Sequence, residues 1–520
     1  MQQEHTEEAK ELAAEDHAHN AAGQESFADE EKALENCRKL LALAEEAASH
    51  IGGSQLFLTS VQEIVSLYSA IGDVDKAAEM ADGLEDPFLR DKLLAVVVER
   101  CAQLDDDEYA NQLIEAIDDY GIRNEAAERF AITKARKGKK SLALETARTM
   151  DHPDNVLAEL AAINLAEGKT EEANSLENDI EYKASLVNAY LSKAFDLIKA
   201  AQPDKAVELL ERASQASKLI ELEEERIGSL INIAEAMNLA SRRDKTIKLL
   251  SEAGELAEKL ENLHRDQFLS EIAVGYYRAN SKDLSEIALE SIADKTQAAL
   301  AYLGMAKSIE EPNSAEKEDF AQEAAEILKS ENPLEIKDSR SRNEAIFTCA
   351  EYFTAFSNVP KALEILDLLF TVETKQAGLL RMLKASALKG DLEEFGLILD
   401  EFKTDLDKSK SCAISAISTA AFGNKANTEK IISLGISYLE KHSSAEDSVV
   451  ILIEFLQAAL MAGKAGLLAD LMSRLISTLS QIRAPMLKVR AMIDLAGLTF
   501  GYKLNITENA LEKLENIAAV

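Results

Sequence analysis

From Glu30 onward, apolar residues fall three and four apart. Leu34, Cys37, Leu40, Leu41, Leu43, Ala44 and Ala48 form one such stripe. That spacing places them on one face of an α-helix, and the pair Gly52 and Gly53 closes it. The same stripe then recurs down the chain, broken by short polar turns. No stretch shows the two-residue alternation rich in β-branched and aromatic residues that a strand needs. One residue pattern marks the breaks. It reads Tyr68 to Gly72, Asp73 to Ala77 and Ala81 in its first clear copy. Later copies run Ile198 to Leu210, Leu239 to Leu250 and Phe356 to Leu366. Each is a helix end, a turn and a helix start. A Gly or small polar residue closes the first helix, Asp, Asn or Pro opens the second, and a small residue follows where two helices meet closely.

Used as a ruler, the small position falls at Ala77, Ala110, Leu142 or Ala143, Ala173, Ala206, Thr246, Ile287, about Ala321, Ala362, Phe395, Thr428 and Leu468. The intervals cluster near 33 and near 40 residues. The shorter repeat allows two helices of about 12 to 14 residues and two turns. The longer repeat extends the second helix, as over Asp204 to Leu222 and Asp244 to Leu263. None of the seven prolines falls inside an expected helix, where each would cost about 3 kcal/mol. The chain is therefore expected to be all-α, a solenoid of about 12–13 antiparallel helical hairpins. Its expected division is a disordered acidic tail over residues 1–28, hairpins over 29–310, an irregular connection over 311–342 and hairpins over 343–520. The connection is expected there because two prolines and many charges interrupt the pattern.

Composition narrows the functional class. Lys and Arg number 57 against 93 Asp and Glu, a formal net charge of -36, which repels phosphate backbones and anionic lipid. Nucleic acid and membrane are not expected partners. No window reaches the roughly 18 apolar residues of a membrane span, and no signal peptide is evident, so the expected location is cytoplasmic. Cys37, Cys101, Cys349 and Cys412 stand far apart, as free, mostly buried thiols of a reducing compartment do.

Candidate chemistry is thin. Asp16, His17 and His19 could touch a metal but lie in a polar tail, and no metal site is expected. The Asp105 to Glu108 run lacks the alternating register of a calcium loop and reads as a helix start. Gly168-Lys169-Thr170 ends like a phosphate-binding loop, but Ile163 stands where the first Gly is required. Arg136 to Lys140 is the densest positive cluster and reads as an exposed turn. No catalytic grouping and no cofactor motif emerges, so the chain is not expected to be an enzyme.

On Tyr68, Gly72, Ala77 and Ala81, and on Tyr190, Ala206, Leu210 and Ala213, the chain resembles the tetratricopeptide-repeat family over about residues 55 to 500. The resemblance implies a right-handed α-α superhelix that binds a protein or peptide along a concave face lined by the first helix of each hairpin. Carried onto this sequence, the groove positions include Gln62, Ser66 and Ser69, then Glu99 with Ala102, then Ile231, Glu235 and Asn238, then Phe347, Glu351 and Thr354, then Lys384 with Ala387. The partner-binding residues expected among them are Gln62, Ser66, Glu99, Glu235, Asn238, Glu351 and Lys384. No basic carboxylate clamp appears, and the inward glutamates imply a partner with basic character. The expected function is a non-catalytic protein-protein interaction scaffold. The alternative is a structural protein that self-assembles through an exposed, partly apolar end hairpin, Ile493 to Val520.

Overall fold

A computed structural model describes residues 30–49, 51, 55–261, 264–312, 314–332, 334, 336–442 and 444–519. The tail expected over residues 1–28, with Asp16, His17 and His19, lies outside the described residues. Within them no strand occurs. Helix α1 covers residues 30–49. Then come α2 (Gln55–Ile71) and α3 (Val74–Asp82), α4 (Pro87–Leu104) and α5 (Asp107–Ala116), and α6 (Tyr120–Arg136) and α7 (Lys140–Arg148). They are followed by α8 (Asp154–Ala166) and α9 (Thr170–Asp179), α10 (Lys183–Lys199) and α11 (Pro203–Ser217), and α12 (Glu223–Leu239) and α13 (Arg243–Ala257). Next are α14 (His264–Arg278) and α15 (Lys282–Glu290), α16 (Lys295–Lys307) and α17 (Ala315–Lys329), α18 (Ser339–Ala355) and α19 (Val359–Leu366), and α20 (Val372–Lys389) and α21 (Leu392–Leu399). The last are α22 (Asp405–Ala421) and α23 (Lys425–Leu439), α24 (Ala445–Met461) and α25 (Ala465–Leu479), and α26 (Pro485–Tyr502) and α27 (Glu508–Ala518). After α1 these make thirteen successive pairs, an α-solenoid pattern as expected.

One backbone feature sets the repeat. The residue closing the first helix is left-handed at Gly72, Gly138, Gly168, Gly390, Gly423 and Gly463. It is also left-handed at Asp105, Ala201, Ser241, Asn280, Ser357 and Lys503, where a side chain must tolerate it. In most of these turns the next N–H reaches the carbonyl five residues back, as Lys139 does to Lys134 at 2.8 Å and Arg242 to Met237 at 2.9 Å. The small contact residue falls five places after the turn residue. Ala77, Ala110, Ala143, Ala173 and Ala206 are all fully buried there. The same count gives Ser285, not the expected Ile287. Ser285 is buried, and its hydroxyl donates to the Ala273 carbonyl at 2.8 Å, whereas Ile287 is 60% exposed.

The two repeat lengths are real and reside in the second helix. It has 9 or 10 residues in α3, α5, α7 and α9, and 15 in α11 and α13. Most first helices are longer than expected, 17 residues in α2, α6, α10 and α12, while α8 and α16 keep 13. Pro87, Pro203 and Pro485 each open a helix, where the missing N–H costs nothing.

The chain forms two compact units. Unit 2 holds residues 105–115 and 120–401, and unit 1 holds 1–104, 116–119 and 402–520. The boundary expected at 311–342 is absent. That segment contains the regular helix Ala315–Lys329, with Glu316 and Glu318 in its first turn and Lys329 in its last, charges that suit the helix dipole. Pro312 precedes this helix instead of breaking it, and Pro333 lies outside the described residues. Its end is stitched to the next hairpin by Arg342 and Glu331, 3% and 6% exposed and 2.7 Å apart.

In unit 2 the first helices pack on one another in sequence from α6 to α20, and one hydrophobic core runs unbroken from Ala131 to Met305. In unit 1 the corresponding row is α22, α24, α26, α2, α4, so the end of the chain is followed by its beginning. At that joint Arg490 of α26 pairs with Glu63 of α2. Asn36 of α1 donates to the Ile506 carbonyl at 3.3 Å, and Lys503 pairs with Glu30 at 2.5 Å. Lys76 of α3 meets Glu45 of α1 as Lys464, the cap residue before α25, meets Glu429 of α23. Helix α1 thus stands beside α3 in the place of a second helix. The end hairpin expected to be exposed is packed instead. Leu511, Leu514 and Ile517 are buried where α27 packs on α25 and α26, and α26 in turn has a neighbour in α2; Val520 lies outside the described residues.

Candidate functional site

The exposed stripe of the first helices follows from the turn count. Nine residues before the turn residue stand Glu63, Glu159, Asn232, Glu271, Arg381, Glu454 and Asp494, and none is buried. Six before it stand Ser66, Glu99, Glu235, Glu351 and Lys384, also unburied. The expected column three before the turn is largely core: Ser69, Ala102, Thr354 and Ala387 are buried. The reason is helical geometry. The hairpin's own second helix covers that flank, which tilts the open stripe towards the column nine before the turn. The sequence reading found the middle column and missed the outer one.

Charges on this stripe pair between neighbouring first helices. In unit 2, Arg136 of α6 meets Glu159 of α8 at 2.7 Å, and Arg278 of α14 meets Glu235 of α12 at 2.9 Å. Arg381 of α20 grips Glu344 of α18 with two hydrogen bonds, at 2.7 and 2.9 Å. It also approaches Glu351 at 3.8 Å. Burial pushes the Glu351 carboxyl up, and the charge of Arg381 offsets part of this.

The best-formed concavity in unit 2 is a cavity of about 600 Å³ between α12, α14 and α16, with Ser341 of α18 at its edge. Ile231, Leu250, Val274 and Leu300 supply apolar wall, and Glu235, Asn238, Gln267, Glu271, Arg278 and Gln297 supply polar groups. Two glycines set its walls. A Cβ on Gly304 would come within 2.7 Å of Val274, and one on Gly275 within 3.0 Å of Leu250, so both helices close in only because these side chains are missing. Arg278 also donates to the Ser308 hydroxyl at 2.9 Å, which fixes its fork against Glu235. Glu271 receives one neutral hydrogen bond, from Gln267 at 3.4 Å. Glu271 itself is exposed, but partial desolvation by the cavity wall pushes its carboxyl up, and the nearby Glu235 charge adds to this.

In unit 1 a groove of about 780 Å³ lies between α2, α24 and α26. Gln62 and Ser66 line it with Glu63, Glu454, Arg490 and Asp494. Burial raises both Glu454 and Asp494. Of the seven expected residues, then, Gln62 and Ser66 share this groove and Glu235 and Asn238 share the unit 2 cavity. Glu351 and Lys384 lie within electrostatic range of each other on α18 and α20, and Glu99, half-buried on α4, lines neither hollow.

Other sequence features resolve structurally. The positive cluster is consumed internally, Arg136 by Glu159, Lys137 by Asp105 at 2.6 Å, Lys139 by Asp107 at 2.9 Å and Lys140 by Glu167 at 2.7 Å. Hydrogen bonds from Lys137, Lys134 and Lys139 hold Asp105 far below the usual carboxylate range. Helix α5 starts at Asp107, as the acidic run implied. All four cysteines are free and buried, and burial lifts Cys349 and Cys412 to about 12, away from thiolate chemistry. Among the described residues no three His, Cys, Asp or Glu side chains converge on a metal position, and no helix is long and apolar enough to cross a membrane.

The raised carboxyls carry a pH signature. A carboxyl whose folded pKa lies above its unfolded value contributes stability in full below the unfolded pKa, and that contribution is lost as pH rises through the folded pKa. Glu271→Gln should therefore melt with the wild type at about pH 3.5 and progressively above it towards pH 7. Scanning calorimetry across that range checks this, and a pH-independent difference would contradict it.

No family model matches the chain, and no curated protein is significantly similar to it. Solved structures give distant likenesses. One is the crystal structure of Ton1535 from Thermococcus onnurineus NA1, at 16% identity, covering 68% of this chain and 97% of that one with a TM-score of 0.24. Another is a circular tandem repeat protein with novel repeat topology and enhanced subunit contact surfaces, at 13% identity, covering 94% and 98% with a TM-score of 0.12. At such scores neither bears on function. The helical-hairpin solenoid rests on the chain's own geometry.

Proposed function

We propose that the chain is a non-catalytic scaffold that binds a protein or peptide along the exposed stripe of its first helices. The resemblance to tetratricopeptide repeats supports the mode of binding. The observation that carries the reading is the unit 2 cavity, where three successive first helices and the start of a fourth place polar groups around an apolar wall. The net charge of -36 disfavours nucleic acid as the ligand. Free, buried cysteines support a reducing, cytoplasmic setting. The test is affinity capture with mass spectrometry to obtain a partner, followed by hydrogen exchange of the complex. Protection should concentrate on α12, α14 and α16. Protection confined to the second helices would refute this face as the binding surface.

A further inference from the structure

We infer that the unit 2 cavity is a receptor for one basic side chain, Lys or Arg, of a partner peptide, with the Glu271 carboxylate taking its charge. This rests on the interaction reading above and adds the chemistry of the anchor. Two carboxylates face the cavity, and they are not equivalent. Glu235 is neutralised by Arg278 at 2.9 Å, and the Arg278 fork is completed by Ser308. Its charge is already spent within the chain. The hydrogen bond that reaches Glu271 comes from the Gln267 amide, a neutral donor. The second carboxylate, Glu235, lines the same cavity, so ionising the exposed Glu271 meets like charge and some loss of water at the cavity wall.

An incoming cation relieves both terms at once. An incoming carboxylate or phosphate worsens both, so anionic ligands are excluded by the same geometry. A bare metal ion does not fit either, because no third ligating side chain converges there. The remaining class is an organic cation on an aliphatic stem. Leu300, Val274 and Ile231 supply the apolar wall along which such a stem lies while its head reaches the carboxylate. A hollow of about 600 Å³ is several times larger than one such side chain. It accommodates the flanking residues of a peptide, which Asn238 and Gln297 can meet through backbone hydrogen bonds.

The test uses the full chain and five blocked peptides, acetyl-Ala-Leu-Xaa-Leu-Ala-amide, with Xaa as Lys, Arg, norleucine, Gln or Glu. Affinities come from calorimetry, and hydrogen exchange locates the binding. The Lys and Arg peptides should bind at least tenfold more tightly than the norleucine peptide and protect α12 and α14. Glu271→Gln should remove that advantage and leave the norleucine peptide unchanged. The Gln variant keeps the side chain's shape and removes a disfavoured charge, so loss of fold does not confuse the result. Glu271→Ala serves as a second variant with the same expected loss. Equal binding of the Lys and norleucine peptides, with protection of α12 and α14, would overturn the charge anchor and leave the interaction face standing. Binding of none of the peptides overturns the anchor, and a captured partner that also spares the first helices overturns the broader reading with it. Spermidine that displaces the Lys peptide, binds more tightly and shows the same Glu271 dependence would assign the cavity to a free polyamine instead of a peptide.

Discussion

Arg342→Ala should cost about 3 to 5 kcal/mol of folding stability, the range for breaking one side of a buried ion pair. Arg342 and Glu331 are almost fully enclosed. Removing the guanidinium leaves Glu331 with the Thr296 hydroxyl at 2.8 Å as its remaining hydrogen bond. It also strands the Leu368 carbonyl, which accepts from Arg342 at 3.0 Å, and uncovers the face of Phe370. The cost is therefore mostly that of a carboxylate left dry. Replacing both partners with Met separates the effects, since a hydrophobic pair of similar volume is often neutral or stabilising. Urea unfolding of the two single variants and the double variant closes the cycle. A double variant as damaged as Arg342→Ala would mean that packing, not charge, holds this junction.

Leu514→Ala should cost about 2 to 5 kcal/mol, because Leu514 is wholly buried and the cavity left behind adds to the lost transfer energy. The loss should be local. Solenoid stability is a sum of neighbour terms, so hydrogen exchange should accelerate in α26, α27, α1 and α2 while α12 to α16 keep their protection. The end hairpin is covered by the chain itself, so light scattering should give the same mass for variant and wild type. A change in mass with no loss of stability would restore the self-assembly alternative.

The hairpin array was legible because its punctuation is chemical. Gly72, Gly138, Gly168, Gly390, Gly423 and Gly463 stand where a left-handed residue is needed. Proline at the helix starts told the same story. Where the left-handed place is held by Asn280 or Ser357, a sequence offers no such mark. The ruler held after Ser357, at Ala362, but slipped by two after Asn280, choosing apolar Ile287 over Ser285, whose hydroxyl is satisfied inside the core. The 311–342 segment was misread for a related reason. Charge and proline suggest irregularity, but Glu331 and Arg342 cancel each other in the interior, and pairing over eleven residues has no periodic signature.

For the candidate site, Glu235 was found because the middle column of the stripe is common to every helical hairpin, while Asn238 belongs to the column three before the turn and is only half-buried where most of its equivalents are core. Glu271 was missed because the other edge of the stripe depends on where the second helix sits. Neither Glu63 nor Arg490 could be linked from the sequence, since their partnership spans 427 positions.

That separation has a consequence for synthesis. Asn36 and Ile506 are 470 residues apart, and a ribosome adding about 5 to 20 residues per second needs roughly 25 to 95 seconds to travel between them. Throughout that time the side of α2 that α26 will cover has emerged without its permanent neighbour. The repeats between can fold in order as they leave the exit tunnel, each on the one before. The joint cannot. It closes only after α26 and α27 have emerged, so α1 and α2 wait longest for a permanent neighbour, and nascent-chain chaperones would find their most persistent target on those two helices.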